Sequence, residues 1–233
     1  MSAGGAVVGE PVLEGVSRIP GFVNCYVYRA GDETFLIDTG FWRRARSIVR
    51  AFREARVPIT QVRRLLLTHH HIDHRGGAAY LQEQAHAPVS CHADDAPFVD
   101  GREKAPMSLW MRLFLHARPA PVATVLKEGD SVGPLTVLHT PGHTPGEVVF
   151  YDAARRLLFS GDAVVEHEGH LALPAPQYAA NLAQAVQSLD RLRTLPIEVL
   201  LPGHGVPVTK RVPDLLSELV DHAPSEYLRP PPE

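Results

Sequence analysis

The sequence predicts a mixed α/β (α+β) protein in which short strands alternate with helices along most of its 233 residues. Three observations support this fold class. Short runs of β-forming residues recur along the chain, amphipathic stretches separate several of them, and Gly, Pro or Asp stands at many of the junctions. The composition, with 45% hydrophobic and 21% charged residues, is typical of a globular protein. We expect a single domain over residues 1–233, with 227–233 as a flexible tail.

The first half of the chain is predicted to begin with a β-hairpin. Residues 22–28 and 34–37 are β-rich runs, and Gly31-Asp32 between them is a turn signal. The other elements predicted in this half are a helix over 44–55, a strand over 62–67, a helix over 78–86 and a strand over 88–91.

The second half is predicted to contain four strands and two helices. Its longest helix covers residues 178–195 and is amphipathic, because leucines and a valine recur along one face. Polar blocks stand near the strand ends, where loops meet at one edge of a sheet and can build a site on a rigid base. The remaining elements are strands over 135–139, 148–151, 157–159 and 199–201 and a helix over 214–221.

Composition and charge narrow the choice of partners and location. The net charge is −3, both signs are mixed along the chain, and we find no basic stripe that would predict a nucleic-acid partner. Cys25 and Cys91 lie in apolar runs and are predicted to be buried, reduced thiols. The first residues do not resemble a signal peptide, and no apolar run is long enough to span a bilayer. We therefore predict a cytoplasmic protein that works without a membrane.

The segment 106–117 is unusually apolar, with seven apolar residues among the nine of 107–115. A helix packed in the core, a lid over a substrate pocket and the contact of a homodimer all fit this composition. The sequence leaves these three alternatives open.

Five histidines and two aspartates, in four short blocks, are the candidate metal ligands. His69 and His71 are two residues apart in an extended segment, so both can reach one ion at about 2.0–2.1 Å. Asp73 and His74 follow where the next helix begins, which suits a neighbouring ion. The seven predicted ligands are His69, His71, Asp73, His74, His143, Asp162 and His204.

The three later ligands complete the predicted coordination of two neighbouring ions. His143 can complete three nitrogens for the first ion, His204 can serve the second, and Asp162 can bridge both with its two oxygens. Asp162 and a shared hydroxide would offset the repulsion between the cations, which also lower the pKa of the shared water. That hydroxide could attack a carbonyl or phosphoryl centre, while Asp73 accepts or passes a proton. We expect two Zn²⁺, for which iron or manganese could substitute.

This pattern resembles the metallo-β-lactamase superfamily. Its His-x-His-x-Asp-His signature corresponds to residues 69–74, and its later ligands correspond to His143, Asp162 and His204. The resemblance covers most of the chain and implies an αββα four-layer sandwich with the site at one edge. It also implies that Asp38 lies close to the metal loop and orients its ligands.

The branches of this family differ in their substrates. Asp162 stands where a major branch of true β-lactamases has cysteine. Glyoxalase II-type thioesterases share the signature and the bridging aspartate, although they often have histidine where this chain has Glu147, and lactonases share the same ligands. The resemblance therefore implies a hydrolase that cuts a small ester-like substrate, either a thioester or a lactone.

Three other functions stay open at this point. Persulfide dioxygenases, an iron-dependent branch of the family, use only the equivalents of His69, His143 and Asp162 as ligands. A phosphodiesterase of the same fold is a second alternative. A metal-bearing module without enzymatic activity, within a larger complex, is the third alternative.

Overall fold

The computed structural model of the chain describes residues 6–105 and 117–223. Most of the apolar segment 106–117, and with it the predicted lid, core helix or dimer contact, lies outside these residues, as does the predicted tail 227–233. The chain divides into two compact units that alternate along the sequence. The first unit comprises Met1–Leu67, His71–Ser90 and Pro97–Thr124, and the second comprises Thr68–His70, Cys91–Ala96 and Val125–Glu233.

A seven-stranded sheet contains the strands of the first half in chain order. Its strands are β1 (Glu10–Leu13), β2 (Val16–Ile19), β3 (Cys25–Ala30), β4 (Glu33–Ile37), β5 (Val62–Leu66), β6 (Val89–His92) and β7 (Val122–Leu126). The first four strands pair antiparallel, whereas β4, β5 and β6 pair parallel.

The predicted hairpin is confirmed as the β3–β4 pair. Ala30 pairs with Glu33, so Gly31-Asp32 forms a two-residue turn, and Gly31 adopts the positive φ of 59° that glycine tolerates without strain. The first strand of this hairpin, β3, begins at Cys25 rather than at residue 22, and Phe22, which is 68% exposed, lies in a bend before it.

Among the described residues of this half, four α-helices lie between the strands. They are α1 (Ala45–Glu54), α2 (Ile72–Arg75), α3 (Ala78–Ala85) and α4 (Ala96–Val99). Helix α1 buries Ala45, Ile48 and Phe52, while the arginines on its other face are exposed. This is the amphipathic pattern expected of a helix packed on one side only.

The second unit is built around a five-stranded sheet. The sheet contains β8 (Ser131–Val132), β9 (Leu135–His139), β10 (Val148–Asp152), β11 (Leu157–Gly161) and β14 (Val199–Pro202), in the spatial order β14-β11-β10-β9-β8. A separate hairpin, β12 (Val165–His167) with β13 (His170–Ala172), and the helices α5 (Leu182–Leu192) and α6 (Val212–Asp221) complete the unit. Its core includes Val149, Leu158 and Leu200 from the sheet, together with Leu189 and Leu216 from the helices.

The helix predicted over 178–195 is shorter than expected. A separate 3₁₀ turn spans Pro176–Tyr178, and α5 begins only after Asn181, whose side chain accepts a hydrogen bond from the Gln184 N–H at 3.1 Å. Asn is a favoured N-cap residue because its side-chain oxygen accepts a hydrogen bond from one of the first backbone N–H groups of the helix, which have no acceptor within the helix. The predicted α/β class is confirmed, and no helix among the described residues is long and apolar enough to cross a membrane.

Candidate metal centre

In the first unit, three of the predicted ligands stand at the start of α2. His71 is the N-cap of this helix and keeps an extended backbone, with φ −60° and ψ 147°. Asp73 and His74 occupy its single turn, and their ligand atoms lie within 4.8 Å of each other. The change from strand β5 to helix within a few residues therefore brings an imidazole and a carboxylate side by side.

Asp38 and Thr39 hold His74 from two sides. Asp38 Oδ2 lies 2.8 Å from His74 Nδ1, and both side chains are buried. The backbone N–H and the hydroxyl of Thr39 donate to the carbonyl of His74 at 2.8 and 2.6 Å. A carboxylate on Nδ1 fixes the tautomer and leaves Nε2 as the metal donor, so this contact can orient a ligand. Asp38 has a φ of 58°, a strained conformation that Asp tolerates better than most residues.

In the second unit, one carboxylate oxygen lies between two imidazoles. Asp162 Oδ2 is 3.5 Å from His143 Nε2 and 3.4 Å from His204 Nε2. Two donors bound to one tetrahedral ion at about 2.0–2.1 Å lie roughly 3.3 Å apart. Both separations therefore fit shared metal ligation. His143 and Asp162 are almost completely buried, whereas the His204 side chain is 26% exposed.

His69 belongs to the same cluster of the second unit. Its ring meets the His143 ring edge-on, with the centroids 4.8 Å apart, and its ligand atom is within 4.8 Å of that of Asp162. The Thr68 hydroxyl lies 3.0 Å from His69 Nδ1, which favours Nε2 as the metal donor. The residue contributes no exposed surface.

Glu147 contacts this cluster, although in the sequence it stands out only as a departure from a related family. Its side chain is buried, and Oε1 accepts the backbone N–H of Asp162 at 2.9 Å. The same oxygen lies 3.7 Å from His69 Nδ1. Glu147 thus ties the segment of Asp162 to the strand that it precedes, β10. The available sequence signal was a carboxylate directly before a buried apolar strand.

Asp95 is a second buried carboxylate, and no motif in the sequence marks it as part of the site. It accepts hydrogen bonds from the His70 N–H, the Thr144 hydroxyl and the Gly146 N–H, and it lies 3.0 Å from His70 Nδ1. Burial raises the pKa of the Asp95 carboxyl, but the hydrogen bonds and the charge of His70 outweigh this, so that the pKa is lowered. The sequence signal was an acidic pair, Asp94-Asp95, at the end of a buried strand.

A further His/Asp group of the second unit is poorly arranged for metal binding. His92, Asp94 and His139 bring their ligand atoms within 4.8 Å. However, the two rings stack with centroids 4.0 Å apart and planes inclined by only 14°. An ion bound by an imidazole nitrogen lies near the plane of that ring, and two stacked planes cannot both contain one ion. Burial, followed by the neighbouring His139, lowers the pKa of His92.

The predicted ligands therefore fall into two sets. The first unit holds His71, Asp73 and His74, and the second holds the other four. In the sequence, His69 of the second set and His71 of the first are separated by a single residue. Neutral imidazoles and carboxylates are the donors that zinc and iron accept, so the residues present fit such ions.

The chain belongs to the metallo-beta-lactamase superfamily, whose family model matches residues 18–204. This match covers most of the strands and all seven predicted ligands. The predicted family, its fold and the class of metallo-hydrolase are confirmed at this level.

Relatives named as hydrolases or as a thioesterase are similar to this chain over part or most of its length. A probable metallo-hydrolase of Bacillus subtilis, YybB, is 28% identical over 81% of this chain and 82% of its own length. An acyl-coenzyme A thioesterase of Homo sapiens is 29% identical over 78% of this chain and 72% of its own length. A hydroxyacylglutathione hydrolase of Bdellovibrio bacteriovorus is 32% identical over 59% of this chain, which spans only 46% of that relative.

Among solved structures, the protein TTHA1623 in a di-iron-bound form is 32% identical and has a TM-score of 0.67. The similarity covers 83% of this chain and 93% of that one. A related chain of almost the same extent thus holds two iron ions.

Proposed function

We propose that the chain is a dinuclear metal-dependent hydrolase that cleaves a small ester-like molecule, either a thioester or a lactone. The observation that carries this proposal is the position of Asp162 Oδ2, 3.5 Å from His143 and 3.4 Å from His204. A carboxylate between imidazoles of two separate loops is suited to bridging two cations, because its charge offsets their repulsion. The proposed ligand sets are His69, His71 and His143 for one ion and Asp73, His74 and His204 for the other.

When bound, the two ions would supply Lewis acidity and lower the pKa of water to near neutrality. The residues of the chain position these ions and handle the proton. Asp73 would accept a proton at one carboxylate oxygen, while Asp38 keeps the His74 ring oriented through Nδ1. Glu147 holds the backbone N–H of Asp162 and so limits the movement of the bridging side chain.

The two cysteines are unsuited to act as nucleophiles. Cys25 and Cys91 are buried and form no disulfide, and burial raises the pKa of Cys25 far above neutrality. A thiol must be deprotonated to attack, so hydrolysis by a water-derived nucleophile fits the chain better.

A thioester or a lactone is proposed as the substrate. The names of two relatives, an acyl-coenzyme A thioesterase and a hydroxyacylglutathione hydrolase, support a small acyl compound as the substrate. The set of seven ligands fits cleavage of its carbonyl group by water. We also propose that the enzyme acts in the cytoplasm, where two reduced cysteines persist, and that it has no nucleic-acid partner, as the charge of −3 suggests. A homodimer contact through 106–117 stays one of the three alternatives that the sequence leaves open.

The metal is proposed to be zinc, with iron or manganese as ions that the same donors accept. Five imidazoles favour zinc, whereas two carboxylates and the di-iron form of the solved relative are the reasons to test iron. We therefore expect purified protein to contain about two zinc ions per chain, and elemental analysis after expression in defined medium would measure this.

One experiment separates the hydrolase from its iron-dependent alternative. The metal-loaded protein is assayed with thioesters, lactones, phosphodiesters and a glutathione persulfide, and oxygen consumption is recorded in parallel. His204→Ala should remove one ion and abolish hydrolysis, whereas His167→Ala, which changes an exposed histidine, should have no effect. One iron per chain, oxygen uptake and full activity of His204→Ala would contradict the proposal. Cleavage of phosphodiesters alone would instead identify the phosphodiesterase.

A further inference from the structure

Asp95 is a buried carboxylate outside the predicted ligand set. It belongs to the second unit, lies shortly after the end of strand β6 and has no exposed surface. Its backbone N–H donates to the carbonyl of His92 at 3.2 Å, so the main chain from His92 to Asp95 forms a tight turn. A buried carboxylate is costly unless several donors surround it. Asp95 meets this condition with four contacts to two oxygens, all from segments that carry predicted metal ligands.

Two of these contacts go to His70. Asp95 Oδ2 accepts the backbone N–H of His70 at 2.7 Å, and Oδ1 lies 3.0 Å from His70 Nδ1. His70 stands in the chain between His69 and His71, both predicted ligands of the first ion. The carboxylate therefore holds both the main chain and the ring of the residue that separates them.

The other two contacts go to the loop that carries His143. Oδ2 accepts the hydroxyl of Thr144 at 2.9 Å, and Oδ1 accepts the N–H of Gly146 at 2.8 Å. A Cβ at Gly146 would stand 2.7 Å from Asp95 Oδ1, so only glycine permits this approach. Thr144 directly follows His143, so the carboxylate also fixes the backbone next to this third ligand.

We propose that Asp95 is a positioning residue that holds the segments of His69 and His143 in register, and that it thereby sets the metal affinity of the site. This inference rests on the proposed function, because the segments concerned carry its ligands. The observed separation of 4.8 Å between the His69 and His143 rings is the geometry that Asp95 maintains. If Asp95 merely stabilised the fold, its replacement would lower stability but leave the metal affinity of the folded protein unchanged.

The test compares Asp95→Asn with Asp94→Asn. Asparagine has an NH₂ group in place of one of the two carboxylate oxygens. Each oxygen of Asp95 accepts a backbone N–H, from His70 or from Gly146, so the NH₂ group would face one of these donors. Asp94 is the adjacent carboxylate, is exposed, and contacts only His92 among the described ion pairs, at 3.6 Å. The dissociation constant for zinc is measured by competition with a chromophoric chelator, and the visible spectrum of the cobalt form reports the ligand geometry.

We expect zinc to bind about 10–100-fold more weakly to Asp95→Asn, with an altered cobalt spectrum, because loss of a group that orients ligands has this effect. Asp94→Asn should match the wild type. A folded Asp95→Asn with wild-type affinity and spectrum would overturn the inference, and so would an equal loss in Asp94→Asn.

A milder variant keeps the inference testable if Asp95→Asn does not fold. Thr144→Val removes one hydrogen bond to Asp95 and should weaken zinc binding several-fold, whereas unchanged binding would overturn the inference. Failure of the proposed function is recognised separately, because it would appear in the wild-type protein itself, as one iron per chain with oxygen uptake or as absent hydrolysis of thioesters and lactones.

Discussion

The two units assemble their candidate ligands in opposite ways. The first unit carries His71, Asp73 and His74 within four consecutive residues, and the segment Asp38-Thr39, directly after β4, holds the last of them. The second unit collects its four ligands from four separate segments between His69 and His204, and the buried carboxylates of Asp95 and Glu147 contact some of those segments. We therefore expect the local array to be ordered largely by the helix that carries it. We expect the dispersed array to depend on buried carboxylates outside the predicted ligand set.

The largest effect is expected for Asp162, where the dispersed array converges. Asp162→Ala removes the oxygen that lies between two imidazoles and leaves the proposed cations without their anionic bridge. Hydrolysis should fall by at least about a thousandfold, the upper range for loss of one transition-state-stabilising group. Steady-state assays and metal analysis measure this, with Asp190→Ala on the exposed face of α5 as control. Retention of both activity and two ions would remove Asp162 from the centre.

The candidate ligands could be predicted from the sequence because the family signature and short motifs mark them residue by residue. The residues that hold them could not, since Asp95 contacts residues 25 and 49 positions away, and Glu147 contacts one 15 positions away. No local periodicity encodes such pairs. The same limit applies to the fold. The hairpin at Gly31-Asp32 could be predicted from its turn residues, whereas strands β12 and β13, each of three residues, were too short to show an alternating pattern.

The next largest effect tests the local array of the first unit. Asp38→Asn keeps a side chain that tolerates the positive φ and an oxygen that can face His74, but it removes the charge. Metal affinity should fall about tenfold, while Asp38→Ala, which loses the contact, should reach about a hundredfold. Competition with a chelator measures both, and Asp32→Asn in the exposed hairpin turn is the control. An Asp38→Ala protein that folds and binds metal like the wild type would show that the helix alone orders these ligands.

A smaller effect is expected for the charge of Glu147. Glu147→Gln retains an oxygen that can accept the N–H of Asp162, so metal binding should weaken by about tenfold or less. Glu147→Ala leaves that N–H without its acceptor and should weaken binding more. The ratio of the two losses, measured in the same chelator assay, separates the hydrogen bond from the charge. Equal losses would indicate that the charge matters and the hydrogen bond does not.

The smallest expected effect on the site concerns the packing between two ligand segments, and it appears mainly as lost stability. Gly161, next to Asp162, has a φ of 51°, and a Cβ there would stand 2.7 Å from the Cβ of Thr68. Gly161→Ala should lower the free energy of unfolding by about 1–3 kcal/mol, the cost of overpacking a close contact, in addition to the backbone strain of a positive φ. Gly169→Ala isolates the strain, because Gly169 has a φ of 84° and no atom lies within 4 Å of the place that its Cβ would take.

Urea unfolding of the metal-free proteins measures the two costs, and their difference gives the steric part alone. Because Thr68 contacts His69 Nδ1, the displaced Thr68 should also weaken metal binding slightly in Gly161→Ala and not in Gly169→Ala. If both variants lose the same stability, the contact between the two segments contributes nothing. The dispersed array would then depend on its buried carboxylates rather than on close packing of the backbone.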